Sequence, residues 1–263
     1  MATELIAVYV ALGALVGFLA GLLGIGGGMT IVPLLVALFT LQGFALEHVL
    51  PLAIGTAAAT IVFTSLSSAR AHHARGAVDW SIVRAMAPGL VIGSLVGPQI
   101  ATALPARTMA AVFAVFMGFT AWRMVRNAQP KPSRSLPAAP GLFGVGAGIG
   151  LLSGIVGAGG AFLSVPFMVR CNVRMRAAVA TSSALGMPIA LAATAGFVIA
   201  GMRKSGLPPH SLGFVYLAAL GAIVVASMLT APLGARLAHA WDVARLKRTF
   251  ALLMFGLGGY MAW

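Results

Sequence analysis

The stretch GALVGFLAGLLGIGGGMTIVPLL, residues 13–35, has a counterpart in the second half of the chain, GAGIGLLSGIVGAGGAFLSVPFM, residues 146–168. Ten of the 23 aligned pairs are identical, and most of the identities are glycines. The correspondence continues downstream, where Gly55-Thr56-Ala57-Ala58 matches Ala180-Thr181-Ser182-Ser183. Matches that follow one another in the same order indicate an internal duplication.

The amino-acid composition shows whether these two halves belong in water or in a membrane. Of the 263 residues, 60% are hydrophobic and 8% are charged, and the mean hydropathy is +1.02. Soluble domains carry roughly 25% charged residues, so this chain cannot cover a water-facing surface. Apolar stretches of about 20 residues, each long enough to cross a bilayer, recur along it. The sequence therefore predicts an all-α polytopic membrane protein.

Eight long apolar segments are predicted to be helices: 4–23, 48–70, 82–104, 106–124, 141–156, 175–200, 211–237 and 244–262. Two shorter apolar segments, 29–41 and 161–169, follow the first and the fifth of these. The N-terminus lacks the basic region of a cleaved signal peptide, so the first segment is expected to remain as a helix. We divide the chain into a first transmembrane repeat (1–125), a polar linker (126–140) and a second repeat (141–263).

The distribution of positive charge predicts how the repeats are oriented. The net charge is +13, but the cations lie in short loops beside apolar spans, which argues for membrane orientation and against a nucleic-acid partner. If each glycine-rich stretch reverses the chain, fourteen of the seventeen Lys/Arg residues fall on one side. That side is then cytoplasmic and includes the linker, and both termini lie outside. The two repeats become inverted copies, a common plan of secondary transporters.

The short segment after each glycine run is the arm that reverses. Segment 161–169 would extend for roughly 14 Å, about half of a 30 Å hydrocarbon core. We therefore predict a re-entrant hairpin with its glycine tip near the midplane. The longer segment 29–41 is also compatible with a full pass across the membrane. Each repeat thus opens with a glycine-broken or re-entrant helix.

The broken helices are the predicted binding site. Irregular backbone in a bilayer is tolerated only when it is buried in protein or lines a wet cavity. A break also exposes the N–H groups of the next helix, which attract anions. The predicted substrate-binding residues are the glycines of the two tips and the hydroxyls beside them: Gly26, Gly27, Gly28, Thr30, Thr56, Gly159, Gly160, Ser164, Thr181, Ser182 and Ser183.

Other glycines are better explained by close helix packing. Three ridges with four-residue spacing bring helix backbones together; they consist of Gly13, Gly17 and Gly21, of Gly89, Gly93 and Gly97, and of Gly146, Gly150 and Gly154. Neither a P-loop nor a complete GxGxxG nucleotide motif is present. The sequence also offers no catalytic constellation and no metal cluster, so no enzyme activity, catalytic residue or cofactor is expected.

The combined motifs resemble those of the sulfite exporter TauE/SafE family. They are GLLGIGGG at 21–28 with Pro33, then Gly55-Thr56, then HARGAVDW at 73–80, with weaker second-half echoes at 154–166 and 180–182. One departure is Ala161, where the first half has Gly28. The resemblance covers essentially the whole chain.

That resemblance implies a secondary transporter in the cytoplasmic (inner) membrane. It would carry small anionic sulfur compounds or organic anions of the sulfite, sulfonate or sulfoacetate type. Alternating access of the two repeats is the expected mechanism, and an anion channel for the same substrates is the alternative. The expected partners are the small anionic substrate and the lipid bilayer. The sequence does not decide whether the protein also forms a homo-oligomer.

Overall fold

The computed structural model of the chain describes residues 2–23, 28–126 and 133–237, together with Leu252 and Gly256. Within those residues the chain is almost entirely helical, with one short β-hairpin. The elements are α1 (Ala2–Leu23), α2 (Gly28–Leu41), α3 (Leu46–Ala74), α4 (Trp80–Ala103), α5 (Ala106–Val125), α6 (Ala139–Val156), α7 (Ala161–Arg170), α8 (Met175–Met202), β1 (Ser211–Leu212), β2 (Val215–Tyr216) and α9 (Leu217–Leu237).

By length and composition, four of the described helices are able to cross a membrane: α3, α4, α6 and α8. Apolar stretches of 10–17 residues lie in α1, α2, α7 and α9. The prediction of an all-α membrane protein is confirmed at this level. The predicted helix 244–262 lies outside the described residues, apart from Leu252 and Gly256, which are helical.

The prediction of one helix over residues 211–237 was wrong at its start. The helix begins at Leu217, and the six residues before it form the antiparallel β1–β2 hairpin, with Ser211 paired to Tyr216. Gly213 makes the turn with a φ of +54°, in the left-handed region that favours glycine. The apolar character of this segment suggested a longer helix, because hydropathy alone does not separate a buried hairpin from a helix.

Helix α1 starts, and helix α2 ends, at the same end of the molecule. The side-chain amide of Gln42, just after α2, donates a 2.7 Å hydrogen bond to the hydroxyl of Tyr9 in the first half of α1. Tyr216 packs beside Tyr9 and meets the rings of Phe39 and Phe44, with ring centroids 5.6 and 5.4 Å away. We call this the aromatic end, defined by Tyr9, Phe39, Phe44 and Tyr216.

The linker that leads into α6 and the last residue of α7 lie together at the opposite end of the molecule. The amides of Ser133 and Arg134, in the linker before α6, donate to the carbonyl of Arg170 at the last residue of α7, at 3.0 and 3.2 Å. We call this the linker end, defined by residues 133–134 and 170–174. The ten residues of α7 extend for about 15 Å. The arm α7 therefore returns to the linker residues that precede α6.

Long helices α3 and α8 cross the molecule antiparallel to each other. A Cβ on Gly55, early in α3, would approach the side chain of Phe197 late in α8 at 3.1 Å. A Cβ on Gly186 would lie 3.3 Å from the Cβ of Ser65, much later in α3. Residues 48–61 of α3 are all buried, so this helix is the centre of the fold.

The glycine ridges pack helices closely, as predicted. On α4 and α6 the ridges face each other: a Cβ on Gly93 would collide with the carbonyl of Ala147, and one on Gly150 with that of Leu90. On α1, a Cβ at Gly13 would come within 2.7 Å of the Cα of Ile223 in α9. Helix α1 thus lies along α9, and α6 lies along α4. Gly21 belongs to the part of α1 whose side-chain surroundings are not described.

Substituting Gly150 should separate these two helices. In Gly150→Ala the new methyl group meets the Leu90 backbone, and relieving such overpacking typically costs about 1–3 kcal/mol. We expect the unfolding temperature of the protein in detergent to fall by several degrees. Gly148→Ala is the matched control, because a Cβ there meets nothing within 4 Å. An equal fall in both variants would contradict close packing at Gly150.

Candidate functional site

The break between α6 and α7 is a tight turn built on two glycines. Gly157 ends α6 with a φ of +67°, and Gly160 precedes α7 with a φ of +72°. Both angles are strained for residues with a Cβ. The amide of Ala158 donates to the carbonyl of Ser153 at 3.2 Å, and that of Gly160 donates to the carbonyl of Ala158 at 2.8 Å. The turn therefore satisfies part of its own backbone.

This glycine tip lies at mid-depth in the molecule, between α3 and α8. A Cβ on Gly159 would sit 3.4 Å from Cγ2 of Ile61, near the middle of α3. A Cβ on Gly160 would collide with Cδ1 of Ile189, near the middle of α8. The two long helices thus hold the tip well away from both the aromatic end and the linker end.

The start of α7 presents backbone donors at this depth. The carbonyl of Gly160 accepts the amides of Leu163 and Ser164 at 3.0 and 2.9 Å. In the part of the chain that is described, the amides of Ala161 and Phe162 donate to no protein acceptor. Free N–H groups and the positive end of the helix dipole favour an anion at such a position.

Two of the predicted hydroxyls meet beside the tip. The Oγ atoms of Ser164 and Ser182 are 2.7 Å apart, and both serines are buried. Ser164 Oγ also lies 3.0 Å from the carbonyl of Gly160, the residue that precedes α7. The structure therefore brings together four of the predicted residues, Gly159, Gly160, Ser164 and Ser182, where α7 meets α8.

Thr56 and Thr181 have a different environment, in which each hydroxyl accepts a backbone hydrogen bond. Thr181 Oγ1 accepts the amide of Asp79, just before α4, at 3.0 Å. Thr56 Oγ1 accepts the amide of Tyr216, just before α9, also at 3.0 Å. These threonines occupy matching positions in the duplicated sequence, and each one fastens the start of a helix from the other half of the chain.

The remaining predicted residues are spread more widely. Ser183 Oγ donates to the carbonyl of Val179 on its own helix at 3.0 Å. Thr30 is buried in α2, and Gly28 is the first residue of that helix. Gly26 and Gly27 lie outside the described residues.

Two polar residues near these helices were missed by sequence reasoning. Ser153 is buried on α6, and its Oγ has no hydrogen-bond partner in the described part of the chain; no motif distinguished it from other small residues. Asp79 caps α4, accepting the amides of Ser81 and Ile82 at 3.0 and 3.4 Å. The pattern Asp79-Trp80-Ser81 before an apolar run could have revealed this cap.

These elements define the class of the protein: an α-helical multi-pass membrane protein with a broken helix hairpin at its centre. Comparison with known proteins then identifies the family. Residues 9–261 match the model of the family described as sulfite exporter TauE/SafE. The chain belongs to this family, and it is a membrane transporter.

Relatives with the same general description support this assignment. A probable membrane transporter protein of Haemophilus influenzae is 34% identical over 244 residues, covering 92% of each chain. The probable membrane transporter protein YdhB of Bacillus subtilis is 26% identical, covering 90% of this chain and 92% of its own. A probable membrane transporter protein of Xylella fastidiosa is 25% identical over the whole of this chain and 97% of its own. No solved structure matches the chain.

The cap at Asp79 yields a pH-dependent prediction. Hydrogen bonds from the Ser81 hydroxyl and from the amides of Ser81 and Ile82 lower the pKa of the Asp79 carboxyl below its ordinary value. A carboxyl whose pKa is lower in the folded state stabilises the protein above its unfolded pKa, and that stability disappears as the pH falls through the folded value.

We therefore expect Asp79→Ala to lower stability near neutral pH, by about 1 kcal/mol. The difference from the wild type should shrink in acid, and thermal unfolding in detergent at several pH values measures it. Asp79→Asn, which keeps a capping oxygen, is the control. A loss that is constant from neutral pH into acid would refute a role for the ionised cap.

Proposed function

We propose that this protein transports small anionic sulfur compounds or organic anions, of the sulfite, sulfonate or sulfoacetate type, across the cytoplasmic membrane. The observation that carries the proposal is the start of α7 at mid-depth, where the amides of Ala161 and Phe162 have no acceptor among the described residues. Donors without acceptors are costly in an apolar interior. A negatively charged oxygen would satisfy them and interact favourably with the helix dipole.

In this proposal the predicted site residues act together around the anion. Gly159, Gly160, Ser164 and Ser182 form the part contributed by the second repeat. Gly26, Gly27, Gly28 and Thr30 contribute the equivalent part from the first repeat. Thr56, Thr181 and Ser183 complete the surrounding hydroxyls on α3 and α8.

The proposed transport cycle is alternating access, in which two inverted repeats rearrange so that the site opens to one side of the membrane and then to the other. Three relations support the inversion. Helix α1 starts and α2 ends at the aromatic end, whereas α6 starts from, and α7 ends at, the linker end. Helix α3 runs antiparallel to its counterpart α8. The pairs Thr56–Tyr216 and Thr181–Asp79 fasten each repeat to the other in the same way.

The linker end is proposed to face the cytoplasm, with both termini outside. Arg134, Arg170 and Arg174 belong to this end, and fourteen of the seventeen Lys/Arg residues fall on its side if the chain reverses as proposed. Such an excess of positive residues is typical of the cytoplasmic side of a membrane protein.

Membrane voltage supplies a driving force for export. The acids of the chain are Glu4, Glu47, Asp79 and Asp242, and all lie at or near predicted helix ends. None is an evident intramembrane proton carrier. Moving one negative charge outward gains about 2.3 kcal/mol per 100 mV of inside-negative potential. We therefore propose export without a coupled ion.

A flux assay in liposomes with an imposed voltage tests this function. We expect outward flux of sulfite or a sulfonate from vesicles containing the protein to increase as the interior becomes more negative. Saturation and counterflow should accompany it, because a carrier binds its substrate in each cycle. Flux that ignores the potential would refute uncoupled export, and flux without saturation or counterflow would favour an anion channel.

A matched pair of variants separates the site from the rest of the fold. Gly160→Ala introduces a methyl group beside Ile189 at a strained backbone position, directly before the free amides. We expect this change to reduce flux at least tenfold. Gly144→Ala, on the same hairpin and with no neighbour within 4 Å of the new Cβ, should transport normally. Normal flux in both variants would place the pathway elsewhere.

A further inference from the structure

Ser153 carries a buried hydroxyl without a partner among the described residues. Its side chain is 1% exposed, and no described atom forms a hydrogen bond with its Oγ. In the described part of the chain, only Ser211 shares this condition. A buried hydroxyl without a partner destabilises the fold, so such a group calls for an explanation.

The helix itself could have satisfied this hydroxyl. Serine and threonine in helices commonly donate to the carbonyl four residues earlier. Ser164, Ser183 and Thr60 do so here, at 3.0 Å in each case. Ser153 departs from this pattern, although its helix provides the same kind of acceptor at Ile149. Its hydroxyl is therefore free to donate elsewhere.

The unpaired hydroxyl lies beside the glycine tip. Ser153 Oγ is 3.5 Å from the position that a Cβ on Gly160 would occupy. Gly160 is the residue immediately before α7, so the hydroxyl lies next to the helix start that carries the amides of Ala161 and Phe162. An uncommitted side-chain donor and two backbone donors thus occur together on one hairpin, at mid-depth in the molecule.

We propose that Ser153 Oγ–H binds the transported anion together with the amides of Ala161 and Phe162. This inference rests on the proposed function and adds a specificity residue to its site. Three donors match an oxyanion that has three oxygen atoms on one centre, such as sulfite or a sulfonate. The first repeat has Ala20 at the corresponding position, so this side-chain donor has no counterpart there.

Binding and stability measurements on Ser153→Ala test this assignment. The probe is methanesulfonate, titrated calorimetrically into the full-length protein in detergent, with uncharged dimethyl sulfone as its shape-matched control. We expect the variant to bind methanesulfonate about tenfold or more weakly, because hydrogen bonds to charged groups are the strong ones. Neither protein should bind the sulfone measurably. The unfolding temperature without ligand should stay equal or rise, since an unpaired polar group has been removed.

Ser94→Ala is the matched structural control. Ser94 is equally buried, but its Oγ donates to the carbonyl of Gly150 at 3.1 Å. Its loss should lower the unfolding temperature and leave the affinity for methanesulfonate unchanged.

The possible outcomes separate the two proposals. Equal affinity of Ser153→Ala and the wild type overturns the role of Ser153 and leaves the anion transporter standing. A fall in unfolding temperature with unchanged affinity means that Ser153 has only a structural role. If the wild type binds neither methanesulfonate nor sulfite, both the site and the proposed function fail.

Discussion

The constraint on which this fold depends is that an apolar environment leaves no water to pair the backbone of a broken helix. The break at Gly157–Gly160 meets part of that demand internally, through the bonds from Ala158 to Ser153 and from Gly160 to Ala158. Helices α3 and α8 surround the rest at mid-depth. Among the described residues, no acceptor pairs with the amides of Ala161 and Phe162 at the start of α7, although this position is near the centre of the molecule. Binding of a transported anion there would supply the missing acceptor.

The two halves of the chain hold each other in place. Threonines at matching positions fasten the helix starts at Asp79 and Tyr216, each across to the other half. Glycine ridges bring α6 against α4 and α1 against α9 with backbones in contact. These contacts join elements of different halves, so a relative movement of the halves must slide or rock them. The aromatic end adds a bulky cluster around Tyr216, whereas the matching position beside Thr181 is occupied by Asp79, which caps α4.

Much of this could be read from the sequence, because the signals were large and local. Composition required membrane helices, four-residue glycine spacing indicated close packing, and the glycine run at 157–160 marked the break between α6 and α7. The hairpin at 211–216 was missed, since apolar residues serve a buried hairpin and a helix equally well. The partners of Thr56 and Thr181 depend on which helix starts lie next to them in space. No sequence pattern distinguishes Ser153, because what sets it apart is the lack of a hydrogen-bond partner for its Oγ among the described residues, and only the packed structure reveals that.

The central claim is that an oxyanion binds at the free amides where α7 begins. Selenite is a close chemical analogue of sulfite, and its selenium scatters anomalously, so diffraction from crystals soaked in it would locate the ion directly. The account predicts an anomalous peak within hydrogen-bonding distance of the amides of Ala161 and Phe162, beside Gly160. A structure in which selenium occupies another position, with those amides paired to protein, would contradict it.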